Sequence, residues 1–197
     1  MAKLYFYYGP VGSSKSTMLL TKAHSFEERG IPFICIKSSI DDRDGNDIIK
    51  SRIGISRECL TVEPGDNLFD FVVEYIDTVG LTKPLWILVD ESQFLDSKQI
   101  DELSEVVDSL NINVLCYGLR TDFTGKMFEG SKRLMEIADN IEEMRVSCSC
   151  GKKAIINARI DEEGNVVTDG KQILIGGDDK YISLCRKCYR EKSRKSC

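Results

Sequence analysis

The chain has 197 residues, 42% apolar and 30% charged, with a formal net charge of −5. That is ordinary globular composition, sized for one α/β domain with a small appendage, and it excludes disorder. The acidic balance excludes a global basic field for nucleic acid or an anionic membrane.

The N-terminal apolar run is too short for a signal peptide and leads straight into a glycine turn. No apolar stretch approaches the roughly 18 residues of a membrane helix. Eight cysteines in such a chain point to a reducing compartment, where paired cysteines bind metal more often than they form disulfides. The expected location is the cytoplasm (a host's, for a viral source).

In chain order, the first expected strand is "KLYFYY", residues 3–8, followed directly by "GPVGSSKST". Gly9, Lys15 and Ser16 fall in register with the phosphate-loop pattern G-x-x-x-x-G-K-[ST], but Ser14 stands where the pattern has its second glycine. In such a loop backbone N–H groups form a concave nest and a helix N-terminus adds positive dipole. Gly9, Pro10, Val11, Gly12, Ser13, Ser14, Lys15 and Ser16 are therefore candidate ATP ligands. Lys15 would reach the β- and γ-phosphates, and the Ser16 hydroxyl would hold Mg²⁺. Glycine before the lysine permits a positive φ; a serine forced there carries strain of about 1–3 kcal/mol, unless the loop uses ordinary angles.

A helix should follow over "STMLLTKAHSFEERG", with Leu19, Leu20, Ala23 and Phe26 on one face and Gly30 as a stop. His24, the single histidine, lies about two turns past the loop and reads as a surface or packing residue. A strand is expected at 32–38, and "SIDDRDGNDIIKSRIGIS" beyond it has no period, so it reads as a loop with functional groups.

"PLWILVD" (84–90) reads as a buried strand ending on Asp90, with Glu91 next. A strand-tip aspartate is where a phosphate-loop fold places its Mg²⁺-associated carboxylate, and ligands collect at that end of the sheet. With histidine discounted, Glu91 is the best general base for an acceptor hydroxyl. "DSKQIDELSEVVDSL" opens with Asp96 and Ser97 as caps and sets Ile100, Leu103, Val106, Val107 and Leu110 on one stripe; a strand at 112–119 follows. Strands alternating with helices predict a parallel sheet with right-handed crossovers.

The texture changes near residue 145. Short β-like segments, "AIINARI" and "QILIGG", lie between Cys148-x-Cys150 and Cys185-x-x-Cys188, with turns at "DEEGN" and "TDG". Four thiolates in two local pairs fit a tetrahedral structural Zn²⁺ site. In an extended backbone, residues i and i+2 face one side, so the tight first pair can converge. The expected units are 1–145, an α/β nucleotide-binding domain, and 146–197, a small zinc ribbon. No metal role is assigned to Cys35, Cys59, Cys116 or Cys197.

The loop, the strand-ending "DESQF", "YGLRTDFTGKMFEGS", the ribbon and "IGGDDKYISLCRKC" occur in an order that resembles the zinc-containing thymidine kinase family, from about residue 3 to residue 190. The "CxCGKKA" form resembles a branch found in some bacteria and large bacteriophages. The resemblance implies phosphorylation of the thymidine 5′-hydroxyl by ATP, with Asp90 supporting Mg²⁺ and Glu91 accepting the proton. It implies that Arg43 lies near the transferred phosphate and that Phe94 and Phe123 pack by the nucleoside. Gln172, Ile173, Leu174, Ile175, Gly176 and Tyr181 would form a lasso over the thymine, its ends held by zinc. It further implies a homotetramer and thymidine triphosphate as a feedback ligand, with no nucleic acid or membrane partner. Two other readings stay open at this point. One is a zinc-ribbon ATPase acting on nucleic acid; the other is a nucleotide sensor whose catalysis is weakened by Ser14.

Overall fold

The computed structural model describes residues 1–43, 45, 47–80, 86–172 and 180–194. In chain order its elements are β1 (Leu4–Tyr8), α1 (Lys15–Glu28), β2 (Phe33–Ser38), β3 (Ile48–Lys50), β4 (Ser56–Glu58), β5 (Leu60–Val62), α2 (Leu68–Val79) and β6 (Trp86–Asp90). A 3₁₀ turn (Ser92–Phe94) leads to α3 (Ser97–Leu110), β7 (Asn113–Gly118), α4 (Glu129–Ile137) and β8 (Asn140–Glu143). The C-terminal part holds β9 (Ile156–Ile160), β10 (Val166–Val167), β11 (Tyr181–Leu184) and α5 (Arg186–Ser193).

Six strands form one sheet in the order β5-β2-β6-β7-β1-β8, and every neighbouring pair in it is parallel. Apolar residues point both ways from each strand. Phe6, Ile36, Ile87, Val89 and Val114 face α2, α3 and α4. Their neighbours Cys35, Leu88, Leu115 and Tyr117 face Leu19, Leu20, Ala23 and Phe26 of α1. Side chains alternate with period 2, so a strand covered on both faces is apolar throughout and shows no in–out pattern. α3 starts where its caps predict: Asp96 accepts from the Gln99 N–H at 2.8 Å, and the Gln99 side chain accepts in return from the Asp96 N–H at 3.3 Å.

The stretch read as a loop, residues 39–56, contributes to a short hairpin. β3 and β4 pair as an antiparallel hairpin whose buried Ile49 packs with the α1 side of the core. Three-residue strands are too short to show a period, which is why sequence reading missed them. Lys37, only 1% exposed, tethers this arm by donating to the carbonyls of Gly45 at 2.6 Å and Ile48 at 2.9 Å.

The C-terminal ribbon is a three-stranded antiparallel sheet in the order β10-β9-β11. One face, carrying Ala158, Leu184 and Val166, builds a separate apolar cluster with Cys148 and Cys185. The other face carries Asn157 and Arg159 of β9 directly opposite Ser183 and Tyr181 of β11. That polar face turns toward the C-terminal ends of the parallel strands.

Candidate active site

Loops from the C-terminal ends of β1, β2, β6 and β7 enclose a cleft of about 690 Å³ lined by Lys15, Ser16, Arg43, Asp90, Glu91 and Phe123, among others. This is the size and position expected of a ligand site in a parallel α/β sheet.

The loop after β1 wraps as a phosphate loop does. Gly9 is needed by close approach: a Cβ there would run into the Met144 carbonyl and the Ser13 side chain. Ser14 sits at φ 61°, ψ 29° and caps α1 without a side-chain hydrogen bond. It therefore adopts the left-handed angles that glycine supplies at the same position, and of the two outcomes open for Ser14 the strained one is realised. Lys15 is buried and curls back, donating to the carbonyls of Gly9 at 3.2 Å and Pro10 at 3.1 Å and to Ser13 Oγ at 3.3 Å. Burial lowers its pKa, against the nearby Glu91 and Asp90 carboxylates, which raise it.

Asp90 ends β6 fully inside the protein. Burial, then repulsion from Glu91, raises its pKa to about 7, while hydrogen bonds from the Ser16 hydroxyl and the Glu91 N–H oppose the shift. Its Oδ1 is buried with no hydrogen-bond partner. An orphaned carboxylate oxygen next to a serine hydroxyl fits a site for a divalent cation, which would restore the missing partner.

Glu91 is a second non-glycine residue in the left-handed region, at φ 48°, ψ 39°. The turn aims its carboxylate back into the cleft, where Arg43 Nη2 donates to Oε1 at 2.6 Å and the Gln93 amide donates to Oε2. Arg43 also donates from Nε to Asp41 Oδ1 at 2.6 Å, so one guanidinium bridges the β2 and β6 loops. Buried Gln93 is fixed from behind, its Oε1 accepting from the Leu119 N–H at 2.9 Å.

The predicted nucleoside side comes together on the opposite wall. Phe94 meets Phe128 edge-on at 6.1 Å. Phe123, 1% exposed, lies 4.0 Å under the Arg159 guanidinium. Tyr181 accepts at its hydroxyl from Arg159 Nε at 3.2 Å and Nη2 at 3.0 Å, and Gln172 lines the same cleft. Ile173, Leu174, Ile175 and Gly176 lie outside the described residues, as do Cys197 and the first two residues of the strand expected at 84–90. His24 is on the surface beside Glu28. Arg120 lies over the Tyr8 ring at 5.6 Å, behind the loop.

Sequence reading missed Lys37, Gln93, Asn157 and Arg159. Gln93 is inside "DESQF", and Asn157 and Arg159 are the alternate polar residues of "AIINARI". That alternation of polar with apolar residues was the available signal.

Cys148, Cys150, Cys185 and Cys188 hold their sulfurs within 4.8 Å of one another, with Cys150 and Cys185 Sγ 3.6 Å apart. Tetrahedral Zn–S bonds of about 2.3 Å place sulfurs about 3.8 Å apart, so the set fits zinc. Hydrogen bonds from the Cys150 and then the Cys185 N–H lower the Cys148 pKa to about 6. The Cys188 N–H also lowers the pKa of Cys185, so these two favour the thiolate, the ligand form, whereas the neighbouring sulfurs of Cys150, Cys185 and Cys148 push Cys188 up to about 12. The first pair converges by a route other than the expected extended backbone. Cys148 to Gly151 is a tight turn, closed by the Gly151 N–H on the Cys148 carbonyl at 2.8 Å, with Gly151 at φ 82°.

A parallel sheet, a lysine-bearing loop into α1, a strand-tip aspartate and a four-cysteine ribbon define a phosphate-loop nucleotide-binding α/β protein. Comparison with known proteins narrows the class. The family model described as thymidine kinase matches residues 2–189, and the chain belongs to the thymidine kinase family. It is 48% identical over 193 residues to a thymidine kinase of Pasteurella multocida (strain Pm70), with 98% of each chain covered. It is 46% identical over 192 residues to that of Haemophilus influenzae (strain 86-028NP), again covering 98% of each. To the Yersinia pestis thymidine kinase it is 43% identical over 199 residues, covering 100% of this chain and 99% of the relative.

Proposed function

We propose that this chain transfers the γ-phosphoryl group of ATP to the 5′-hydroxyl of thymidine, giving thymidine monophosphate for DNA precursor synthesis. The observation that carries it is the meeting of Lys15, Ser16, Asp90 and Glu91 in one cleft on a chain of this family. Gly9 to Ser16 would cradle the phosphates. Lys15 would exchange its loop carbonyls for phosphate oxygens, and Arg43 would meet the charge that builds up on the transferred group. Ser16 and Asp90 would hold Mg²⁺, which supplies neutralisation of the β- and γ-phosphate charge. Glu91 would take the proton from the acceptor hydroxyl, and Phe94, Phe123, Gln172 and Tyr181 would seat the nucleoside. Little covalent work is needed, since phosphoryl transfer is accelerated mainly by positioning and charge stabilisation.

The four cysteines would hold a structural zinc. A boundary between 145 and 146 agrees with Met144 packing in the α1-side core and Val146 in the ribbon cluster. The lasso, a homotetramer, feedback by thymidine triphosphate and a cytoplasmic location belong to the same reading. Among the described residues no helix is long and apolar enough to cross a membrane. Ser14 argues little for a silent sensor, because it keeps the backbone angles that glycine would provide.

The test is ATP-dependent phosphorylation of thymidine by the purified zinc-loaded protein, beside Lys15→Ala and Glu91→Gln. Turnover in the parent that collapses in both variants supports the reading. A silent parent that binds nucleotide, restored by Ser14→Gly, would put the sensor first.

A further inference from the structure

The ribbon bonds directly to the phosphate loop. Both backbone polar groups of Val11, at the crown of the phosphate loop, are taken by side chains of the ribbon. The Val11 N–H donates to Asn157 Oδ1 at 2.8 Å, and the Val11 carbonyl accepts from the Ser183 hydroxyl. Asn157 and Ser183 are directly opposite each other on β9 and β11, so a single rung of the ribbon grips a single peptide residue from both sides. The Asn157 amide is also anchored on its far side, where Nδ2 donates to the Thr121 carbonyl at 2.8 Å. An acceptor partner on one end and a donor partner on the other leave one amide orientation that satisfies both.

We propose that Asn157 and Ser183 are positioning residues for ATP: they hold the crown of the phosphate loop in its binding shape through their bonds to Val11, while Asn157 also lines the cleft. The physical case rests on how the rest of the loop is held. Its inner carbonyls, Gly9 and Pro10, are tied by the Lys15 ammonium, which must leave them to reach a phosphate. Two loop residues, Gly12 at φ 77° and Ser14 at φ 61°, are in the left-handed region, and the serine costs energy there. With Lys15 withdrawn, the ribbon rung remains to keep that strained shape ready. Asn157 is 3% exposed, so its bond to Val11 is shielded from competing water. Loosening the rung lets the loop sample other shapes, and only the competent fraction binds.

This inference rests on the ATP-binding reading of the loop, and one set of titrations separates the two. Binding of a β,γ-imido ATP analogue with Mg²⁺, and separately of thymidine, is measured by calorimetry for the parent, Lys15→Ala, Asn157→Ala, Ser183→Ala and Ser183→Thr. Zinc content and thermal midpoint are followed alongside. The expected result is about tenfold weaker nucleotide binding in Asn157→Ala and Ser183→Ala, the equivalent of about 1.4 kcal/mol. Thymidine binding should stay within about twofold and zinc should be retained, while Ser183→Thr, which keeps the hydroxyl, should recover nucleotide affinity. Unchanged nucleotide affinity in both alanine variants overturns the proposal while Lys15→Ala still loses binding. Parallel losses of nucleotide, thymidine and zinc also overturn it, since the rung would then serve only ribbon integrity. Nucleotide binding by Lys15→Ala equal to the parent's instead removes the loop reading, and the positioning role with it.

Discussion

Arg43 donates to Glu91 Oε1 at 2.6 Å, so the carboxylate best placed to accept a substrate proton is held by a cation from a neighbouring loop. The ion pair fixes where the carboxylate points. Removing the base should therefore cost turnover far more than binding. Glu91→Gln is expected to lower kcat by about 10²–10⁴-fold with the thymidine KM little changed. Steady-state kinetics decide it, and a KM effect with normal kcat would place Glu91 in binding instead.

Ser14 tests whether backbone strain is held in the phosphate loop. Ser14→Gly removes a Cβ from a left-handed position but adds freedom to the unfolded chain. The net gain should be about 0.5–1 kcal/mol, a rise of about 1–4 °C in Tm for a chain of this size. A thermal midpoint below the parent's would show that Ser14 makes a compensating contact.

Asp90 should make the metal-free protein pH-sensitive. Its carboxyl is held near pKa 7 in the fold, above the ordinary value of about 3.9. The folded state thus binds this proton more tightly than the unfolded chain, so its stabilising contribution is complete below about pH 3.9 and is lost as pH rises through about 7. Asp90→Asn removes that loss. Denaturant unfolding with chelator present should show the variant gaining on the parent by up to about 1.4 kcal/mol per pH unit between those limits, while Mg²⁺-dependent turnover falls. A gap that stays flat with pH would mean that the carboxylate is already compensated.

Arg159 links the two aromatic walls of the proposed nucleoside side, stacked 4.0 Å from the Phe123 ring and donating to the Tyr181 hydroxyl. It also donates to the Lys171 carbonyl at 3.0 Å, where the predicted lasso begins. Lysine lacks the planar fork that makes these contacts together. Arg159→Lys should raise the thymidine KM by about tenfold and leave the ATP KM unchanged. Equal effects on both substrates would point to general loosening of the ribbon.

Zinc is expected at about one equivalent per chain. Elemental analysis of the purified protein checks that, and Cys185→Ser should lose the metal together with several degrees of thermal midpoint. Full zinc retention in that variant would leave the cluster without a metal role.

Much of the framework was legible in local sequence. β1, β2, β6 and β7 announce themselves as short runs of apolar residues, and α3 by its cap and stripe. Gly9 to Ser16, Asp90 with Glu91, and the two cysteine pairs were readable because each depends on neighbours a few residues away. The α2 helix went unread although Asn67 caps it and Gly80 ends it in the left-handed region. Its run "LFDFVVEYIDTV" sets Asp70, Glu74 and Asp77 on one face with apolar residues opposite, so the helical period was there to read and went unused.

The amino-acid sequence by itself thus determined the main parallel strands, α1 and α3, the loop proposed to receive phosphate and which thiols meet. Those outcomes follow from side-chain period, backbone angles and short spacings. The tertiary structure alone decided that Asn157 and Ser183 grip Val11, at separations of 146 and 172 residues. It also decided that Arg159 joins Phe123 to Tyr181, and that Lys37 anchors the hairpin arm from inside the protein. In sequence each is a polar residue that solvent would accept equally well. It acquires a role only when the chain returns across the sheet and sets a backbone group within hydrogen-bonding reach, away from water.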